Sequence, residues 1–223
     1  ADPADEQIAN RQKKLQELDN LISDARAYAG LERNPGKKAS QKDDHDLRFE
    51  SMIPFVLGEK PIFIRANDVR QIEAAVHWAD RQELDAVIVG GKDSWRTLDL
   101  LKQKKIPVVL ESTLSLPARR FEDYDQPFKT PYMLYNAGVE FCIGGSGRYG
   151  ASFQRNLPYH AAMAAAFGLP VNEAVKSITL NAAKILGLGE QIGSIEIGKE
   201  ATLFIADGDP LDLRTQILQC FIQ

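Results

Sequence analysis

At 223 residues, with 44% hydrophobic and 26% charged side chains, the chain has the composition of an ordinary globular protein, which excludes wholesale disorder. A chain of this length makes one large domain or two small ones and buries roughly 70–75% of its unfolded surface. The formal net charge of −4, from 31 acidic and 27 basic side chains, argues against a nucleic-acid binder. Two cysteines, Cys142 and Cys220, make neither a disulfide framework nor a C-x-x-C motif. With only His45, His77 and His160, a histidine-rich metal site is not expected.

Residues 1–10 (ADPADEQIAN) contain no basic region and no apolar run, so this chain carries no targeting signal that the sequence reveals. No stretch approaches the roughly 20 apolar residues of a bilayer span. A soluble chain of unknown compartment is expected, with no nucleic acid and no membrane as partner. Because it starts with Ala and not Met, it is expected to be processed or cut from something longer.

Residues 5–30 read as a polar helix, with Ile8, Leu15, Leu18, Ile22 and Ala29 at helical spacing. Residues 31–46, with Pro35 and Gly36 and two opposed charge clusters, read as a linker in which His45 is a solvated loop side chain. Residues 1–46 are therefore an N-terminal helix and linker. A short apolar helix or turn spans 47–57, closed by Gly58.

From residue 60 the pattern becomes regular. Short apolar runs at 62–64, 86–89, 107–110 and 140–143 alternate with helical stretches at 68–82, 93–104 and near 130–137. The fold class is α/β. Four β/α units should place these strands adjacent, parallel and in chain order, with right-handed crossovers and helices on both faces. Helices at 154–167, 171–178 and 180–186 follow, completing a region that runs from 47 to 190. Residues 191–223 read as return strands, at 201–206 and 215–222, separated by turns.

In parallel β/α folds chemistry gathers where strands end. Those positions are Arg65 to Asn67, Gly90 to Lys92, Glu111 and Ser112, and the glycine-rich stretch 144–150 (GGSGRYG). That stretch matches neither standard phosphate-binding spacing, so a plain flexible loop is preferred to a phosphate cradle. Ser146 is a poor hydrolase nucleophile, because the elbow motif needs Gly where Arg148 stands. His160 and His77 read first as helical packing residues, and Cys142 as a small buried hydrophobe.

Residues 172–187 (NEAVKSITLNAAKILG) and 193–211 (GSIEIGKEATLFIADGDPL) resemble the C-terminal signature of the amidohydrolase superfamily, in its imidazolonepropionase-like bacterial branch. The resemblance covers roughly 47–223. It implies the C-terminal half of a TIM-type (β/α)8 barrel, with a few strands of the small β-sandwich beside it. Members hydrolyse amide, lactam or related bonds with metal-activated water, usually on zinc. Their metal-binding His, His and Asp, at the ends of strands five, six and eight, match Arg65 or its neighbours, Gly90 with Gly91, and Gly144 to Ser146 here.

No metal ligand set is therefore expected in this chain, although zinc or another divalent metal remains open for the full-length protein. The resemblance implies a presumptive hydrolase of non-peptide C–N bonds, with this chain alone inactive. The alternative is a non-catalytic homologue that binds a small molecule or serves a structural role. A free-standing doubly wound ligand-binding domain is a third reading, disfavoured by the C-terminal signature. Candidate ligand-binding residues are Arg65, Asn67, Lys92, Glu111, Ser146, Arg148 and His160, which could instead form internal salt bridges around a dead site. The expected partner is the missing N-terminal half or a second copy, with a small-molecule substrate.

Overall fold

The computed structural model describes residues 4–32, 46–145 and 150–223. Helix α1 (Ala4–Glu32) exposes most of its length and buries Ile22, Ala25 and Ala29, one stripe at helical spacing. Helix α2 (Leu47–Val56) is capped by Asp46, whose carboxylate accepts from the Arg48 N–H at 2.9 Å. These helices belong to a unit formed by residues up to Ile62 together with Trp78–Asp85. Within it, Asp19 accepts from Trp78 Nε1 at 2.7 Å and Gln82 Nε2 at 2.9 Å, and the Tyr28 and Phe49 rings lie 5.8 Å apart.

The second unit comprises Phe63–His77 and Ala86–Gln223. Strands β1 (Ile62–Ala66), β2 (Ala86–Gly90), β3 (Val108–Leu110) and β4 (Phe141–Ile143) form one sheet in the order β1-β2-β3-β4. β2 runs parallel to β3, and β3 to β4. β1 follows the same direction, since Ile62 N–H donates to Asp85 and Gly91 N–H to Ala66. The expected adjacency, direction and order of the strands hold.

The register sorts the side chains. Ile88, Val108 and Phe141 share a row, as do Gly90, Leu110 and Ile143, and all six are buried. Helices α3 (Val69–Arg81), α4 (Leu98–Lys104) and α5 (Gln126–Ala137) contribute the buried Ile72, Val76, Leu101 and Leu134. The opposite face holds Val89, Val109 and Cys142 in one row, with Phe63 and Arg65 exposed on β1. One end of that face is covered by α8 (Leu180–Ile185): Ile185 joins Val87 and Cys142 in a small cluster on which Val109 and Ala182 pack. β1 alternates between half-buried and exposed because cover is lacking on one side, contrary to the expectation of helices on both faces.

Other boundaries shift for local reasons. The helix expected over 93–104 splits into a 3-10 turn (Ser94–Arg96) and α4, with Thr97 between them at φ −124°, outside helical geometry. α5 starts at Gln126, earlier than the period alone indicates, with Pro127 in its first turn, where no N–H is needed. A 3-10 segment (Ala151–Asn156) precedes α6 (Leu157–Ala166), and α7 (Val171–Ser177) leads into α8. Strands β5 (Leu203–Ala206) and β6 (Ile217–Phe221) pair antiparallel, with β6 exposed throughout. Among the described residues no helix is long and apolar enough to cross a membrane.

Candidate functional site

The C-terminal ends of β1, β2 and β3 meet at a cleft of about 180 Å³ whose wall includes Asn67, Gly91, Lys92, Glu111 and Ser112. Asn67 is held by its backbone: its N–H donates to Gln71 Oε1 at 3.0 Å, and its carbonyl accepts from the Asp93 N–H at 2.9 Å. Its side-chain Oδ1 is buried and has no hydrogen-bond partner among the described residues. That amide fits only because residue 90 is glycine, since a Cβ there would lie 2.5 Å from Asn67 Oδ1.

Arg65 and Glu111 extend the site. The Arg65 guanidinium donates to Glu111 as an ion pair in which Arg65 is 65% exposed and Glu111 only 11%. A second cleft, of about 240 Å³, shares Glu111 and Ser112 and is lined also by Gln154, Asn156 and His160. His160 Nδ1 accepts from the backbone N–H groups of Thr113 and Leu114, each at 3.2 Å. The ring proton therefore sits on Nε2. Burial pushes the imidazole pKa down, so the ring is neutral at pH 7. Thr113 Oγ1 donates to the His160 carbonyl at 2.8 Å, fixing helix to loop.

Asn67, Lys92 and Glu111 are thus brought to one cleft, Arg65 joins them through Glu111, and His160 stands in the neighbouring cleft. Ser146 and Arg148 lie outside the described residues, as does His45. His77 is exposed on α3.

A cluster the sequence reading missed sits beside the first cleft. Arg119 donates to Asp93 at 2.9 and 2.6 Å, to Glu122 at 2.6 Å and to Asp68 at 3.1 Å. These bonds, to Asp93 first and Glu122 second, raise the Arg119 pKa further. The signal was available: Arg119 and Glu122 are three apart in an otherwise polar loop. What no spacing could reveal is that Asp68 and Asp93 end neighbouring β/α turns.

Among the described residues no group of three or more His, Cys, Asp or Glu side chains is placed to hold a metal ion. The strand ends themselves do not fit one. Arg65 has no lone pair to donate, and Glu111 is already engaged by it. Gly91 sits at φ +61° with its Cβ position 2.6 Å from Val108 Cγ1, so no ligand side chain fits there without displacement.

Residues 123–220 match the model of the amidohydrolase family. Imidazolonepropionase of Parabacteroides distasonis is 22% identical over 205 residues, covering 80% of this chain and 49% of that protein. These matches support an amidohydrolase superfamily member. Imidazolonepropionase of Sphingopyxis alaskensis is 54% identical over 48 residues, 21% of this chain and 12% of that protein. Among solved structures, an amidohydrolase from Thermotoga maritima aligns with a TM-score of 0.79 at 24% identity, covering 93% of this chain and 53% of its own. The chain spans about half the length of the relatives that it matches along most of its own. The resemblance read from residues 172–211 is borne out, and the α/β fold with a parallel sheet is that of this superfamily neighbour.

Proposed function

We propose that this amidohydrolase chain is the C-terminal half of a TIM-type (β/α)8 barrel, and that the whole protein hydrolyses a non-peptide C–N bond of a small molecule. The observation that carries this reading is the convergence of Asn67, Lys92 and Glu111 on one cleft at the C-terminal ends of consecutive parallel strands, where such folds place their sites. In this reading the chain supplies substrate-binding groups and no metal ligands. Alone it is inactive and metal-free, and its partner is the N-terminal half of the same protein or a second copy. Lys92 and Asn67 hold and orient the substrate, Glu111 pairs with Arg65, and the neutral His160 offers Nε2–H as a donor.

The test is turnover of a panel of small lactams and cyclic amides by the full-length protein, with elemental analysis of the same sample. Turnover by the full-length protein but not by this chain supports the reading. Absence of turnover together with saturable ligand binding supports a second reading, a non-catalytic binding homologue. The Arg65–Glu111 pair favours that second reading, because Arg65 or its neighbours stand at the strand end where members of the superfamily carry a metal-binding His.

A further inference from the structure

The loop that follows β3 serves both clefts. Glu111 and Ser112 line the two of them, Leu114 lines the second, and Ser115, Leu116 and Ala118 line the first. Two posts of different chemistry hold this loop. One is His160 on α6: its Nδ1 accepts from the Thr113 and Leu114 N–H groups at 3.2 Å, and its carbonyl accepts from Thr113 Oγ1 at 2.8 Å. The other is Arg119, which donates to Asp93 at 2.9 and 2.6 Å and to Asp68 at 3.1 Å. Between the posts, among the described residues, the backbone of 115–118 makes one bond to other backbone, from the Ser115 N–H to the Thr113 carbonyl. Leu114 and Leu116 are exposed.

The posts respond differently to acid. Arg119 stays protonated throughout, and the Asp68 carboxyl is held below its ordinary value, first by the Arg70 N–H. The His160 ring holds the loop only while Nδ1 carries no proton. A proton there would set a third N–H against two backbone N–H donors, so both acceptances would be lost. The bond from Thr113 Oγ1 to the His160 carbonyl does not involve the ring and survives. The stretch set free is therefore 114–118.

The charges around the ring leave it to respond by itself. Glu111, which lines its cleft, is paired with Arg65. On the elements packed against α6, Glu173 pairs with Lys176 at 2.7 Å and Asp125 with Lys129 at 2.7 Å, while Arg155 is exposed. The remaining titratable groups there are the phenols of Tyr132 and Tyr135 on α5 and the Cys142 thiol on β4. The downward shift of the imidazole comes from its burial.

We propose that residues 114–118 are a strap released by acid: the neutral His160 ring holds them in the wall between the two clefts, and a proton on Nδ1 frees them while Thr113 and Arg119 stay in place. Access to both clefts is thereby set by pH, whatever reaction the full-length protein carries out.

Backbone hydrogen exchange of the full chain between pH 7.5 and 5, resolved by NMR and corrected for the intrinsic effect of pH, tests this. The Leu114 amide should lose about tenfold in protection for each unit below the His160 midpoint. The Val69 and Asp93 amides, held beside Arg119, should not change. The ring nitrogens of His160 should report a proton on Nε2 at pH 7.5 and a midpoint below the ordinary 6.5. In His160→Asn, whose Oδ1 stands near the place of Nδ1 and does not titrate, Leu114 protection should be flat across the window. Should that variant not fold, coincidence of the Leu114 and His160 midpoints in the wild type decides alone. Leu114 protection that is flat in the wild type, that falls together with Val69 and Asp93, or that still falls in His160→Asn overturns the proposal. So does a ring that carries its proton on Nδ1 at pH 7.5.

Discussion

Arg119 grips Asp93 with both terminal nitrogens, at 2.9 and 2.6 Å, although the two residues are separated by 26 positions in the chain. Asp93 is 1% exposed and also accepts from the Val69 N–H at 2.9 Å. Removing the guanidinium would strand a buried carboxylate, a far worse outcome than removing both partners. Arg119→Met should therefore lower the unfolding midpoint, and the double variant Arg119→Met/Asp93→Leu should recover part of the loss. Hydrogen exchange should rise first in residues 111–125, the loop that Arg119 ties down. Exchange rates there that match the wild type would show that the loop is held by something else.

Gly91 is where a metal-binding side chain fails to fit. Gly91→His should be destabilised by about 1–2 kcal/mol from the left-handed backbone alone, with the contact on Val108 adding to it. It should also gain no zinc, and the purified wild-type chain should hold no stoichiometric zinc, nickel or iron. Urea unfolding and elemental analysis of both proteins check this. About one metal per chain in either sample, or a variant as stable as the wild type, contradicts the account.

The period of the apolar residues was enough to place four parallel strands in order, because buried β/α strands write themselves as short unbroken runs such as 86–89. The strand-end rule likewise led to Asn67, Lys92 and Glu111, since position along a β/α unit decides which side chains reach the C-terminal rim. Arg119 escaped notice because its value comes from two carboxylates, Asp68 and Asp93, that only the fold brings near. The early start of α5 was hidden by Pro127, which reads as a breaker until its place in the first turn is known. The exposed side of β1 was equally illegible, because an apolar run does not say whether both faces have cover.

His160 links stability to acidity. Burial holds its pKa below the ordinary 6.5, so the unfolded chain binds the proton more readily than the folded one. Its contribution is fully favourable above pH 6.5 and is lost as pH falls through that value toward the folded pKa. Protonation of Nδ1 would also break its acceptance from Thr113 and Leu114. His160→Gln should thus weaken the dependence of the unfolding midpoint on pH between about 7 and 5. Parallel curves for variant and wild type in that window would refute the linkage.

The two cysteines should react very differently. Burial, with Glu140 nearby, pushes the Cys142 thiol up to about 12, whereas Cys220 is exposed on β6. Since the thiolate is the reactive form, iodoacetamide at pH 8 should label Cys220 and spare Cys142 in the folded chain. Mass spectrometry of the digest reads both sites. Equal labelling under native conditions would mean that the cluster of Val87, Cys142 and Ile185 opens readily.

The isolated chain should associate. Phe63 is 47% exposed on the half-covered face of the sheet, and the β5–β6 ribbon exposes Phe204 at 48%, Leu218 at 63% and Phe221 at 41%. A two-stranded ribbon is marginal by itself, and its outer edges present unpaired backbone groups. Covering these four side chains, each about half exposed, recovers on the order of 3–6 kcal/mol. That is comparable to a domain's whole net stability of roughly 5–15 kcal/mol, so a partner surface is strongly favoured. A second copy meeting the first about a two-fold axis is one way to bury such a patch, and the N-terminal half that the half-barrel proposal calls for is the other. Light scattering behind a sizing column at micromolar concentration should give a mass above the monomer. Replacing Phe63 and Leu218 by Ser should shift it down, and adding the N-terminal half in trans should yield a one-to-one complex. A monodisperse monomer that binds no hydrophobic dye would show that these surfaces need no partner.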